Sequence, residues 1–150
     1  IKNRNMQVSL LDNLKIGRVT NTKEQINFLE KIKNFKDISL VIVDNIADLF
    51  SFEYSKKEQF MEKYTNFMKY MYGLSLIALK KKIPIVVTNQ LLKKQDTEYE
   101  KLDFVMNHFI HQRIKLKKIK NYYQGEVYQP FTNNQQFYYN FGPTGIVEQS

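Results

Sequence analysis

The sequence predicts an α/β fold with a largely parallel central sheet, flanking helices and an antiparallel C-terminal edge. The first observation is a pair of short apolar runs, LVIV at residues 40–43 and IPIVV at residues 83–87, each followed at once by polar residues. Such β-branched runs are typical of strands that are covered on both faces. The second observation is the long amphipathic segment between them, because a crossover of that length makes two strands parallel.

The N-terminal third predicts a strand followed by a helix. Residues 14–19 (LKIGRV) are expected to form a short strand between two asparagines. Thr22 is expected to cap a helix that ends near Asn34, with Gln25 completing a capping box. The buried face of this helix should carry Ile26, Leu29 and Ile32.

The central third predicts one long helix between two loops. Residues 46–57 lack a clear period and are interpreted as a loop or irregular turn. Residues 58–81 carry a stripe at helical spacing that should pack against the sheet: Phe60, Met61, Tyr64, Phe67, Met68, Met71, Leu74 and Ala78. Residues 91–106 show no strong period; a helix is one alternative, and we favour a mobile loop.

The C-terminal third predicts antiparallel strands. Residues 109–119 alternate between apolar and polar side chains, the pattern of an edge strand with one solvated face. Gly125 is expected to open a turn into residues 126–128. A last strand at residues 137–141 and a turn at residues 142–145 precede Ile146 and Val147. We find no repeat and no linker, so residues 1–150 are interpreted as one domain.

Composition excludes several kinds of site. The chain has no Cys and two His, which excludes disulfides and thiolate metal sites and disfavours a histidine-rich zinc site. No apolar run reaches the roughly 18 residues of a membrane span. The protein is therefore expected to be intracellular, in the nucleus if eukaryotic and otherwise in the cytoplasm. The net charge of +8 favours a polyanionic partner, with nucleic acid as the first candidate.

Polar side chains follow both apolar runs. Asp44 ends the first run, and Thr88, Asn89 and Gln90 end the second. Because ligands bind at the carboxyl ends of parallel strands, these residues should face one crevice. A carboxylate beside an amide suits a magnesium–nucleotide site. The chain contains no G-x-x-x-x-G-K-[ST] phosphate loop, so the phosphate-cradling half of such a fold is expected to be absent from it.

The order of these motifs resembles a known family. LVIVDNIADLF, a long helix, IPIVVTNQL, HFIHQRIKL and a terminal YNFGPTGIVE follow one another as in the C-terminal half of the RecA/RadA-type recombinase ATPase core. The closest resemblance is to the archaeal and eukaryotic strand-exchange recombinases and their paralogues. It implies a RecA-like P-loop NTPase core that uses ATP and Mg²⁺ in the complete protein.

The resemblance assigns roles to individual residues. Asp44 matches the Walker B aspartate, which holds Mg²⁺ through water, and Gln90 matches the switch residue that senses the γ-phosphate. Asn89 and Thr88 would support Gln90. His108 matches a histidine that touches nucleotide across a filament interface, and Arg113 would lie on the same strand as His108. Pro130 lies in the turn that covers the adenine.

The resemblance also implies two DNA-binding segments, at residues 50–57 and 91–106. Binding of single-stranded DNA requires cations along the phosphates and apolar or aromatic groups against the bases. The cations are Lys56, Lys57, Lys93 and Lys94, and the aromatic candidates are Phe52, Tyr54 and Phe104.

The chain departs from the family pattern in three places. Ser51 and Lys57 stand where arginines are usual, the second segment is partly acidic and lacks a Gly-Gly pair, and Tyr128-Gln129-Pro130 replaces Asp-x-Pro. The catalytic glutamate of the family would precede Ile1, so this chain by itself is expected to have no ATPase turnover.

Three hypotheses follow. The chain is part of a DNA-dependent ATPase of recombination and repair that binds single-stranded DNA and subunits of its own or a paralogous kind. Alternatively, it belongs to a non-catalytic paralogue that mediates filament assembly. A replicative helicase core, the third possibility, is disfavoured by the YNFGPTGIVE segment.

Overall fold

The computed structural model describes residues 12–129, 135–143 and 145–148. Their order is α1 (Thr22–Asn34), β1 (Val41–Val43), α2 (Asp48–Glu53), a 3₁₀ turn (Lys57–Gln59), α3 (Phe60–Lys81), β2 (Ile85–Val87), β3 (Leu91–Lys94), β4 (Thr97–Glu100), α4 (Asp103–Phe109), β5 (Arg113–Ile119), β6 (Tyr122–Gln129), β7 (Gln135–Gly142) and β8 (Gly145–Glu148). The chain divides into two compact units, Arg18–Phe109 and the residues on either side of it.

The unit Arg18–Phe109 contains the predicted strand–helix–strand element. β1 and β2 pair in parallel, with Val41 opposite Ile85. These are the parallel strands of the described part, so the parallel sheet is smaller than the sequence predicts. The prediction that both faces of these strands are covered is also wrong, since Ile42 and Val86 are 62% and 49% exposed. Val41 is buried, whereas these two residues are exposed, so one face of this two-stranded sheet is open.

Helix α1 is capped by Asn21, one residue before the expected Thr22. The Asn21 side chain accepts a hydrogen bond from Glu24 N at 2.8 Å, and the Glu24 carboxylate accepts one from Thr20 N at 2.9 Å. These bonds satisfy backbone donors at the start of the helix. The bonds that the Glu24 carboxylate accepts from Thr20 N and from the Thr20 hydroxyl hold the pKa of Glu24 below its ordinary value. The helix ends at Asn34 as predicted, and Leu29 and Ile32 are buried.

The core of this unit forms around Phe50, which is fully buried. Its ring meets Phe67 edge to face at 5.1 Å and Tyr70 at 5.9 Å. Burying a phenylalanine side chain stabilises a fold by about 1.5–3 kcal/mol. That gain explains why residues 48–53 form helix α2 instead of the expected loop.

Helix α3 confirms the predicted long helix, with a buried face rotated from the predicted stripe. Its buried residues are Phe67, Tyr70, Met71, Leu74 and Ile77. Phe60, Met61 and Met68 are exposed instead. The helix ends where Lys82 adopts a left-handed backbone with φ of 53°. Lys80 and Lys81 lie in the last turn, where positive charge interacts favourably with the helix dipole.

Two further predictions are wrong. Residues 14–19 form no strand: Leu14 and Ile16 are 58% and 86% exposed, and no neighbouring strand within the described residues supplies hydrogen bonds. Residues 91–100 form a hairpin instead of a mobile loop, with Leu91 opposite Glu100. The two strands of the hairpin satisfy each other's backbone hydrogen-bonding groups. The sequence pattern of residues 91–106 does not predict this pairing.

The second unit is a four-stranded antiparallel sheet in the order β5-β6-β7-β8. This confirms the antiparallel C-terminal strands and the edge position of β5. The Phe137 ring lies over Gly125, where an added Cβ would come within 2.0 Å of the ring. Gly142 pairs with Gly145 at the last hairpin. Thr144, in that predicted turn, lies outside the described residues.

Candidate functional site at the ends of the parallel strands

The strand ends bring Asp44 and Thr88 together. Thr88 Oγ1 donates a hydrogen bond to Asp44 Oδ1 at 2.5 Å. Backbone bonds extend the ladder past both strands, from Thr88 N to Val43 O and from Ile46 N to Thr88 O, each at 3.0 Å. The Asp44–Asn45 peptide bond is cis. The expected convergence of the two strand ends is therefore confirmed at this pair.

The buried Gln25 side chain holds the turn that follows Asp44. Gln25 Nε2 donates to Ile46 O at 3.2 Å, and the Gln25 side chain is buried. Gln25 is thus a core residue, and its predicted place in a capping box is wrong. Tyr70 lies beside it: burial raises the pKa of the Tyr70 phenol, and a hydrogen bond with Gln25 offsets part of that rise.

The Gln90 side chain contacts Lys101, which was not predicted to be a site residue. Lys101 Nζ donates to Gln90 Oε1 at 2.8 Å and to Asp48 Oδ1 at 2.6 Å. Asn89 supports the same corner, because Asn89 Nδ2 donates to Lys101 O at 2.8 Å. Gln90 and Asn89 therefore fix the base of the β3–β4 hairpin.

Asp44 and Gln90 are not hydrogen-bonded to each other in the described part of the chain. Asp44 is exposed, and only its Oδ1 has a partner there, the Thr88 hydroxyl. Oδ2 is left to accept from a further donor. An exposed carboxylate with one free oxygen can accept hydrogen bonds from metal-bound water, a common arrangement for Mg²⁺.

His108 lies in helix α4 and not in a strand, although it was predicted to share a strand with Arg113. Its Nδ1 is 2.7 Å from Phe104 O, and its ring contacts the Phe104 ring at 5.1 Å. Arg113 begins β5. The shared strand is wrong because the helix continues to Phe109. Pro130 lies outside the described residues.

The predicted DNA-binding cations lie in two places. Lys56 and Lys57 are exposed at the 3₁₀ turn before α3, and Lys93 and Lys94 are the last two residues of β3. Lys93 is opposite Glu98 in the hairpin. The exposed side chains of Lys56, Lys57 and Lys93 can reach a polyanion.

The three aromatic candidates differ in exposure. Phe52 and Phe104 are 81% and 58% exposed, so their rings are accessible. Tyr54 is engaged within the fold: its hydroxyl accepts from Asn66 Nδ2 at 2.9 Å, and its ring stacks with Phe50 at 6.5 Å. Phe52 and Phe104 are thus available for base contacts, and Tyr54 is a packing residue.

Sequence reasoning missed an apolar cavity beside α3. It has a volume of about 740 Å³ and is lined mainly by Phe60, Met61, Tyr64, Met68, Phe104 and Phe109. Burial raises the pKa of Tyr64 there, with a contribution from the Asp103 charge. The spacing of Phe60, Tyr64 and Met68 is the sequence signal for this cavity, but the predicted stripe places these three residues in the core.

Lys101 and Asp48 were missed for a different reason. They are 53 positions apart and form an ion pair only because α2 and the hairpin fold back on the same corner. Neither residue belongs to a local motif, so no sequence pattern predicts the pair. Within the described residues, no group of three or more His, Asp or Glu side chains could bind a metal by itself, and no helix there has the length and apolar character of a membrane span.

The family model described as Rad51 matches residues 4–147 of this chain. Among curated relatives, the DNA repair and recombination protein RadA of Ignicoccus hospitalis is 24% identical over 119 residues, which cover 74% of this chain and 36% of the relative.

Two further RadA proteins show similar matches over shorter spans. RadA of Metallosphaera sedula is 31% identical over 94 residues, covering 60% of this chain and 29% of the relative. RadA of Methanococcus voltae is 29% identical over 92 residues, covering 59% and 29%. The matched span is about a third of the length of these relatives.

Proposed function

The chain belongs to the Rad51 family of RecA/RadA-type recombinases, and from this premise we propose that it is part of an ATP-dependent DNA recombination and repair protein. In its complete form, this protein binds ATP with Mg²⁺ and single-stranded DNA, and it assembles with subunits of its own or a paralogous kind. Residues 1–150 are the part of the ATPase domain that lacks the phosphate loop. The observation that carries the proposal is the Thr88–Asp44 hydrogen bond at the joined ends of β1 and β2.

Asp44 is the residue proposed to hold Mg²⁺ through water. Its carboxylate is exposed at the edge of the sheet, with one oxygen fixed by Thr88 and the other free among the described residues. Mg²⁺ bound there would neutralise charge on the β- and γ-phosphates. The Thr88 bond restricts the carboxylate to one orientation, which lowers the entropic cost of positioning it.

Gln90 is the proposed sensor of the γ-phosphate. Its amide is neutral at all physiological pH values and has two N–H donors. The hairpin that begins at Leu91 follows it directly, so a movement of Gln90 is transmitted to Lys93 and Lys94. This arrangement supports a link between nucleotide and DNA binding. His108 and Pro130 keep their proposed roles in nucleotide contact.

DNA binding is proposed for the surface that carries Lys56, Lys57, Lys93 and Lys94, with Phe52 and Phe104 as exposed aromatic groups. Lysine side chains neutralise phosphates, and stacking on an aromatic ring accepts any base. The net charge of +8 supports the same partner.

The test uses the full-length protein and fluorescently labelled single-stranded DNA. DNA affinity is measured with and without a non-hydrolysable ATP analogue and Mg²⁺, and ATP hydrolysis is measured separately. We expect the analogue to raise DNA affinity by about 5- to 150-fold, the usual range for coupled sites. Asp44→Ala should abolish hydrolysis with an unchanged circular dichroism spectrum.

Asp37→Ala is the matched control, because Asp37 is an exposed carboxylate outside the site; it should retain hydrolysis. Undiminished hydrolysis in Asp44→Ala would exclude the proposed magnesium role. Equal DNA affinity in both conditions for the wild type would exclude the ATPase and leave the filament-assembly mediator.

A further inference from the structure

Lys101 ties three segments of the chain together at the side of the candidate site. Its ammonium group donates to Asp48 Oδ1 on α2 and to Gln90 Oε1 after β2. The Lys101 side chain is only 19% exposed, and the Asp48 side chain is 42% exposed. An ion pair that is partly shielded in this way is held more firmly than one on an open surface.

The main chain of Lys101 is fixed at the same corner. Lys101 N donates to Gln90 O at 3.3 Å, and Lys101 O accepts from Asn89 Nδ2 at 2.8 Å. The β3–β4 hairpin therefore leaves the site at Gln90 and returns to it at Lys101. The side chain and the main chain of Lys101 thus both join this end of the hairpin to Gln90 and Asn89.

The ammonium group also decides which way the Gln90 amide faces. Lysine has three donors and no acceptor, so only the amide oxygen of Gln90 can face it. The amide nitrogen then faces away from Lys101, and Gln90 Nε2 makes no hydrogen bond with the described residues. A side-chain amide held in this way presents a donor, the group that an anionic phosphate oxygen requires.

We propose that Lys101, anchored by Asp48, is a positioning residue that orients the Gln90 amide with its N–H donors toward the γ-phosphate and holds the β3–β4 hairpin in the DNA-responsive position. This inference rests on the proposed function of Gln90. Loss of the ammonium group leaves the amide free to turn its oxygen toward the phosphate, where two acceptors repel. Nucleotide then binds without changing the hairpin.

The test compares full-length wild type with Lys101→Met, which keeps the length of the side chain and removes the donor. We expect Lys101→Met to lose at least 5-fold of the ATP-analogue-induced gain in DNA affinity, while affinity for the analogue alone changes less than about 3-fold. Lys101→Arg restores a donor and should retain the gain, which a purely steric role would not predict. Lys80→Met is the control for loss of an exposed lysine at the end of α3.

A second measurement is independent of nucleotide. Hydrogen exchange of the peptide covering residues 89–102 should be faster in Lys101→Met and unchanged in Lys80→Met. Asp48→Ala, which leaves the hairpin main chain intact, should produce a smaller loss of the gain in the same direction. It serves as the informative variant if Lys101→Met does not fold.

The outcomes separate the two proposals. A wild type without any gain overturns the proposed function and, with it, the role of Lys101. If the wild type shows a gain and Lys101→Met fully retains it, only the role of Lys101 is overturned. If Lys101→Met is unfolded, full retention of the gain in Asp48→Ala has the same meaning. Unchanged hydrogen exchange in Lys101→Met overturns its hold on the hairpin.

Discussion

The Thr88 hydroxyl donates a hydrogen bond to the Asp44 carboxylate, although the two residues are 44 positions apart in the chain. The bond exists because β1 and β2 are parallel and in register, which places the residue after each strand at one edge of the sheet. Thr88 therefore has a role beyond its predicted support of Gln90. It restrains the side chain that is proposed to hold Mg²⁺ through water.

Thr88→Val should therefore reduce ATP hydrolysis without abolishing it. Valine has the shape of threonine but cannot donate, and a hydrogen bond to a charged group contributes about 1.5–3 kcal/mol. We expect a decrease in kcat of about tenfold or more in the full-length protein, smaller than the loss in Asp44→Ala. Thr65→Val, an exposed threonine on α3, is the control. Equal kcat values in Thr88→Val and wild type would contradict this role for the bond.

Gln90→Ala should separate ATP binding from the DNA response. The variant keeps Asp44, so affinity for the non-hydrolysable ATP analogue should remain nearly unchanged. The analogue-induced gain in DNA affinity should disappear, because the side chain that joins nucleotide to the hairpin is gone. Titration of labelled single-stranded DNA with and without the analogue measures both quantities. A gain of wild-type size in Gln90→Ala would assign the switch to another residue.

The elements that follow from local pattern were predictable. Helix α3 shows a long run at helical spacing, and the two β-branched runs end at polar residues that meet in space. These features depend on residues near one another in the chain, or on the rule that crossover strands are parallel. The family resemblance rests on the same motifs and was confirmed over residues 4–147.

The elements that were missed depend on contacts between distant residues. Helix α2 forms because Phe50 is buried against Phe67 and Tyr70, which no local pattern shows. The hairpin at residues 91–100 is closed by Asn89 and Lys101. The predicted stripe on α3 was rotated, because the spacing shows that a helix is amphipathic but not which exposed aromatic residues stay uncovered.

Replacement of the four proposed DNA-binding lysines should reduce the salt dependence of DNA binding. For single strands, log affinity falls with log salt with a slope of about 0.7 for each phosphate contact. If at least three contacts form, changing the set to Gln should flatten the slope by two units or more. The set is Lys56, Lys57, Lys93 and Lys94.

A control with the same change in net charge separates local contacts from general attraction. It replaces four exposed lysines elsewhere with Gln: Lys23, Lys36, Lys80 and Lys117. The slope should change less in this control than in the test set. An equal change in both would indicate that the net charge, and not the proposed surface, determines binding.

Tyr70 should make stability fall at alkaline pH. Burial raises the pKa of the folded phenol above its ordinary value of 10.0. Below that pH both states are protonated and the contribution is constant. Above it the unfolded chain loses the proton first, so the free energy of unfolding falls as pH rises toward the folded pKa, by at most about 1.4 kcal/mol per pH unit. Urea unfolding above pH 10 should show a shallower decline in Tyr70→Phe than in wild type, whereas Tyr72→Phe, an exposed neighbour, should follow wild type.

Phe50 and Phe52 offer the sharpest test of the core, because they lie two positions apart on α2 with opposite exposure. Phe50 is fully buried, whereas Phe52 is 81% exposed. Phe50→Ala should reduce the free energy of unfolding by about 3–5 kcal/mol, since it removes the contacts with Phe67 and Tyr70 and leaves a cavity. Phe52→Ala should change it by no more than about 0.5 kcal/mol. Urea denaturation followed by circular dichroism measures both. A loss below about 1 kcal/mol in Phe50→Ala would mean that α2 is not held by this core, and the position of Asp48 beside Lys101 would then need another support.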